Sequence, residues 1–106
     1  MITLTINPRT GEDVYSLLTQ KEKSLRGGRT TLVRHGPKRK DKEKWVHSTY
    51  KGWIQFQRCL GGVVVAQVKS RDPESTWQLL SAFIGYINRH FRTQITGIHL
   101  QYGDDE

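Results

Sequence analysis

The sequence predicts a two-layer α+β domain: a mainly antiparallel sheet of four to six strands with two helices on one face, in the order β-α-β-β-β-(β)-α-β. Three observations predict it. Near both ends of the chain apolar residues alternate with polar ones (Ile2, Leu4 and Ile6; Ile98, Leu100 and Tyr102), the period of a half-buried strand. Two longer segments repeat their apolar residues at steps of three and four, the period of an amphipathic helix. Between those segments lie runs rich in Val, Thr, Tyr, Trp and Ile that glycines punctuate, as they do hairpin-linked strands. Two such helices and one sheet bury one sheet face and leave the other uncovered.

Taken in order, Ile2 to Ile6 form the first strand, and Asn7-Pro8 ends it. Thr10 followed by Asp13 has the spacing of an N-cap hydroxyl and an acid three residues on. Val14, Leu17, Leu18 and Leu25 then recur at helical spacing. Arg26-Gly27-Gly28 stops that helix, glycine supplying the left-handed residue. Strands follow at Thr30 to His35, Trp45 to Tyr50, Trp53 to Cys59 and Val63 to Lys69. Asp72-Pro73-Glu74 opens the second helix with an acidic N-cap, proline at the first helical position and an acid in the first turn. Its stripe is Trp77, Leu80, Ile84, Ile87 and Phe91, widened by Leu79 and Phe83. Leu79 and Tyr86 read as flanks of a broad core stripe, with contact to a partner chain as the alternative. Ile95 to Tyr102 is the last strand. Residues 1–103 form one domain and residues 104–106 an acidic tail.

Turn lengths predict which side chains share a face. A two-residue Lys51-Gly52 turn sets Tyr50 opposite Trp53. A three-residue Leu60-Gly61-Gly62 loop sets Ile54 opposite Val68 and Phe56 opposite Ala66. Trp45, Ile54, Phe56, Val64, Ala66 and Val68 then face inward, and Tyr50, Trp53, Gln55, Gln57, Val65, Gln67 and Lys69 outward. A two-residue second turn would invert the pattern, since a slip of one residue flips every side chain.

Composition narrows the function classes. The 106 residues include one cysteine, Cys59, which allows no internal disulfide and no thiolate zinc cage, and suits a reducing compartment. No apolar run approaches the roughly 20 residues that span a bilayer. The opening MITLTINPRTGED lacks the basic-then-apolar layout of a secretion signal. These features predict a cytoplasmic protein with no membrane partner.

The net charge of +7 comes from 17 basic and 10 acidic residues, and it is regional. From Lys21 to Lys51 there are eleven bases and three acids, a net +8, so the rest of the chain is close to neutral. Charge gathered in one region points to a polyanionic or acidic partner more strongly than charge spread evenly. Its densest stretch, GPKRKDKEKW at 36–45, reads as a flexible basic hairpin projecting about 10–15 Å from the sheet at the rise of an extended chain. Arg34, Lys38, Arg39, Lys40, Lys42, Lys44 and Lys51 are the candidate phosphate contacts, with Tyr50 and Trp53 as a stacking pair beside them. Against this stands a solvated loop that serves only solubility, next to an ordinary cross-strand aromatic pair.

Signs of catalysis are sparse. His35, His47, His90 and His99 show no paired metal spacing, and no nucleophile elbow, P-loop or dinucleotide motif occurs. No cofactor and no metal are therefore expected. Cys59 reads as a small apolar filler. A ribonuclease using His35 and His47 across the basic hairpin is the least favoured function. The order of elements resembles double-stranded-RNA-binding-like folds, including ribosome hibernation factors, which run strand, helix, three strands, helix with basic surfaces facing RNA. The additional C-terminal strand departs from that pattern. The expectation is a non-catalytic module that binds nucleic acid, RNA more than DNA, through the hairpin and the open face. The alternative is a small adaptor that holds an acidic protein through the same hairpin.

Overall fold

The computed structural model describes residues 1–103, so the acidic-tail expectation for residues 104–106 lies outside the described residues. Six strands and two helices follow in the order β1 (Ile2–Pro8), α1 (Val14–Leu25), β2 (Leu32–Arg34), β3 (Lys42–His47), β4 (Trp53–Arg58), β5 (Val64–Lys69), α2 (Pro73–Phe91) and β6 (Ile95–Tyr102). The strands form one sheet, ordered β2-β3-β4-β5-β1-β6, with every neighbouring pair antiparallel. This is the predicted α+β class and element order. No helix among the described residues is long and apolar enough to cross a membrane.

The inner face is built by alternation. Ile2, Leu4 and Ile6 of β1, Trp45 of β3, Ile54 and Phe56 of β4, and Val64, Ala66 and Val68 of β5 are all buried. They meet Val14, Tyr15 and Leu18 of α1 and Leu79, Leu80, Phe83, Tyr86, Ile87 and Phe91 of α2 in one core. Trp45 is its centre, with ring centroids 5.0 Å from Phe56, 5.9 Å from Phe83 and 5.2 Å from Tyr86. Burying one such large side chain is worth about 1.5–3 kcal/mol, so this aromatic group is a major part of what holds the layers together.

The inward set and the pairs Ile54–Val68 and Phe56–Ala66 match the sequence reading. Asp72 caps α2 as expected, accepting from the Glu74 N–H at 3.2 Å, with Pro73 at the first helical position.

Four expectations need correction. Asp13, not Thr10, caps α1: its carboxylate accepts from the Ser16 N–H at 3.2 Å and the Ser16 hydroxyl at 2.8 Å. β3 begins at Lys42, so Lys42, Glu43 and Lys44 belong to the sheet and the free loop is shorter than expected. The stripe of α2 is centred on Leu79, Leu80, Phe83 and Ile87, which are fully buried, whereas Trp77 is 57 % exposed. Helical steps place Trp77 on the edge of that stripe, and the crossing of α2 over the sheet decides which edge is covered.

Finally, Tyr50 does not stand opposite Trp53. His47 Nδ1 accepts from the backbone N–H groups of Thr49 at 2.9 Å and Tyr50 at 3.2 Å, which turns the chain before it reaches Tyr50. The register consequently sets Trp45 opposite Ile54. It differs from the predicted register by an even number of residues, so each side chain within the paired strands keeps its face.

Gly52 closes this connection at φ +111°. A β-carbon there would lie 2.3 Å from the Lys69 carbonyl oxygen, so only glycine fits.

Candidate nucleic-acid interface

The uncovered face of the sheet carries polar residues on adjacent strands. Lys42 pairs with Gln57, Lys44 with Gln55, Gln55 with Gln67, and Gln67 with Thr3. Trp53 is the large aromatic on this face and pairs with Lys69. The Lys44 ammonium lies 5.4 Å from the centroid of the Trp53 ring. At the end of the strands, Trp53 and Lys69 line a shallow cleft with Lys51, Ser70, Arg71 and Asp72. Four cations thus surround one indole, and that indole is half-buried rather than part of the core. Chemically this is a ring that a planar base can stack on, amides that can meet base edges, and ammonium and guanidinium groups within reach of a backbone phosphate.

The basic hairpin is tied down rather than projecting. A bridge between Arg39 and Lys42 closes its tip, and Asp41 takes the left-handed conformation there at φ 56°. Arg58 fastens that tip to the body of the protein. Its backbone N–H donates to the Asp41 carbonyl at 2.9 Å, and its guanidinium lies 3.4 Å from the Asp41 carboxylate and 2.9 Å from that of Asp13. The same guanidinium sits 4.9 Å over the Tyr15 ring. Burial alone would raise the Asp13 carboxyl, but the bonds from Ser16 and the charge of Arg58 outweigh it and hold the pKa below the ordinary value.

Between the hairpin and α1 runs a cleft of about 370 Å³, lined by Lys23, Arg26, Arg34, Lys38, Arg39 and Lys40 together with Tyr15, Asp41 and Glu43. Two carboxyl groups are buried beside it. Glu22 is 1 % exposed and accepts from Arg26 Nε at 3.0 Å and the Arg34 backbone N–H at 3.2 Å. Burial raises its pKa, but these donors and the arginine charges more than offset this, and it ends below its ordinary value. Glu43 is 9 % exposed and accepts from Trp45 Nε1 at 3.0 Å. Burial and the nearby Glu22 charge outweigh that bond and the arginines, and its pKa is raised.

The predicted residues therefore divide into groups. Lys42, Lys44 and Trp53 share the open face, with Lys51 at its end. Arg34 faces the helix side, because it pairs with the inward Trp45, and it joins Lys38, Arg39 and Lys40 in the cleft. Tyr50 leaves the face altogether: it stacks on His47 at 4.4 Å between centroids and packs against the core edge. His35 and His47 do not meet. His47 pairs with Leu32, whereas the His35 N–H bonds to the Lys44 carbonyl, so they sit on opposite faces. The sequence reading missed Arg71 beside Trp53, and Lys23 and Arg26 across the cleft from the hairpin. Arg71, just ahead of the Asp72 cap, could have been suspected from its closeness to the strand end. The two on α1 required the helix to be placed beside β2.

No protein-family model, curated protein or solved structure matches the chain. The likeness to double-stranded-RNA-binding-like folds is therefore one of element order alone.

Proposed function

We propose that this protein is a non-catalytic nucleic-acid-binding module that takes single-stranded RNA in preference to DNA, in a reducing compartment such as the cytoplasm. The observation that carries the reading is Trp53, an indole on an uncovered sheet face surrounded by Lys44, Lys51, Lys69 and Arg71. A base stacks on the indole, the flanking cations take the phosphates on either side, and Gln55, Gln57 and Gln67 hydrogen-bond base edges and ribose hydroxyls. Single strands are favoured because stacking requires an unpaired base. The cleft cations Lys38, Arg39 and Lys40 continue the positive surface around the β2 edge, so a longer strand wraps from the face toward α1.

Two charge-reversed proteins test this: Lys44, Lys69 and Arg71 changed to Glu, and Lys38, Arg39 and Lys40 changed to Glu. Each phosphate contact on a single strand contributes about 0.7 to the slope of log affinity against log salt. The first variant is expected to bind RNA much more weakly and to flatten the slope by about 2, three contacts at that value. The second retains binding to short oligonucleotides and loses it to longer ones. RNA binding unchanged in the first variant sinks the proposal. If it is accompanied by salt-sensitive capture of an acidic protein that the second variant loses, the hairpin is an adaptor surface instead.

A further inference from the structure

We infer that a second cleft, between the C-terminal ends of α1 and α2, is a separate binding site for a phosphate monoester group. The cleft has a volume of about 560 Å³, within the range of small-molecule pockets, and no carboxylate of the described residues lines it. It lies on the helix side of the sheet, away from the Trp53 face. Arg26, Arg29 and Arg89 line it with His90, Tyr86 and the hydroxyl residues Thr30 and Thr31.

The Arg26 charge is taken up by Glu22, so the uncompensated charge is that of Arg29 and Arg89, which have no ion-pair partner among the described residues. Tyr86 provides an independent observation. Its ring is held edge-on to Trp45 and His90, and the residue is only 7 % exposed. Its hydroxyl nevertheless has no hydrogen-bond partner among the described residues.

A buried hydroxyl without a partner is exceptional in folded proteins. This one belongs to a residue lining a cleft furnished with guanidinium donors. Burial and the Glu22 charge push its pKa up to about 12, so it stays protonated and acts as a donor at physiological pH. Arg29, Arg89 and Tyr86 thus each offer a proton, and the complementary ligand is one that presents several acceptor oxygens. A doubly charged phosphate matches two unpaired arginines in charge and supplies the acceptor Tyr86 lacks.

Adenosine monophosphate and adenosine, titrated calorimetrically, are the small-molecule probes; the same oligoribonucleotide with a 5′-phosphate or a 5′-hydroxyl is the polymeric one. The phosphorylated member of at least one pair is expected to bind about tenfold or more tightly, the value of a charge-assisted contact. A preference in the nucleotide pair alone identifies a small-molecule site. A preference in the oligonucleotide pair identifies a site for a strand end. Tyr86→Phe keeps the packed ring and is expected to remove about a tenfold share of that preference, and Arg29→Ala with Arg89→Ala the remainder. The variant reversed at Lys44, Lys69 and Arg71 keeps the nucleotide preference, which separates this site from the Trp53 face. Equal binding within both pairs, or a Tyr86→Phe protein that folds and discriminates like the original, overturns the inference.

Discussion

Replacing Trp53 by alanine isolates stacking from charge. The ring is half-buried on the uncovered face, so its removal opens no core cavity. Its specific contact is the Lys44 ammonium at 5.4 Å, a cation–π interaction worth about 0.5–1 kcal/mol at an exposed site. A base that takes the place of Lys44 over the ring gains about 1–3 kcal/mol. The lysine is then released to a phosphate, and the exchange nets roughly 1–2 kcal/mol. At 1.4 kcal/mol per decade, Trp53→Ala weakens the Kd for a short single-stranded RNA by about 5- to 30-fold. Trp53→Phe recovers most of the loss, because phenylalanine also presents a flat aromatic face. The assay is fluorescence anisotropy of a labelled oligoribonucleotide across a range of salt. Removing the indole should displace the line of log Kd against log salt without tilting it, since Lys44, Lys51, Lys69 and Arg71 all remain. An alanine variant that binds as tightly as the original refutes the stacking reasoning. So does a slope that falls as far as it does when the cations themselves are removed.

Three further predictions concern the scaffold that holds these surfaces. Glu43 has a raised pKa when folded, so the stability tied to its proton is complete below its ordinary value of 4.5 and is lost as pH rises through the folded value. Glu43→Gln, which can still accept from Trp45 Nε1, should therefore raise the urea midpoint at pH 7. At pH 4 the two proteins should converge; a less stable glutamine variant at pH 7 contradicts this. Gly52→Ala places a β-carbon 2.3 Å from the Lys69 carbonyl oxygen at φ +111°. Backbone strain alone costs about 1–3 kcal/mol, so a variant melting like the original would show that the turn relaxes freely. Trp45→Ala empties the centre of the aromatic group and should cost about 3–5 kcal/mol in denaturant unfolding.

How much could be read in advance differed from residue to residue. The core places of Ile54, Phe56, Val64, Ala66 and Val68 follow from the sequence because strand alternation has a period of two and the Leu60-Gly61-Gly62 loop sets the parity. The face of Trp45 survived a wrong turn length for the same reason, as the two registers differ by an even number. Tyr50 departs from its expected place because the turn is closed by a histidine nitrogen accepting two backbone N–H groups, a contact with no composition signal. Trp77 and Leu79 lie on opposite edges of the α2 stripe, and periodicity cannot choose between those edges. Glu22 is an acid in a polar stretch of α1, yet it is buried because Arg26 and the Arg34 backbone satisfy it from two separate elements.

What the sequence determined by itself is local: element types and order, the capped start of α2, the inward set of the central strands, and the concentration of positive charge between Lys21 and Lys51. Those follow from periodicity, caps and composition, which act over a few residues. Only the tertiary structure decided how that charge divides: some on the open face around Trp53, some in the cleft beside α1, and some in a second cleft at the ends of both helices. That division depends on where α1 and α2 cross the sheet and on the anchoring of the hairpin by Arg58. Both are set by contacts between residues far apart in the chain, which no short-range pattern records.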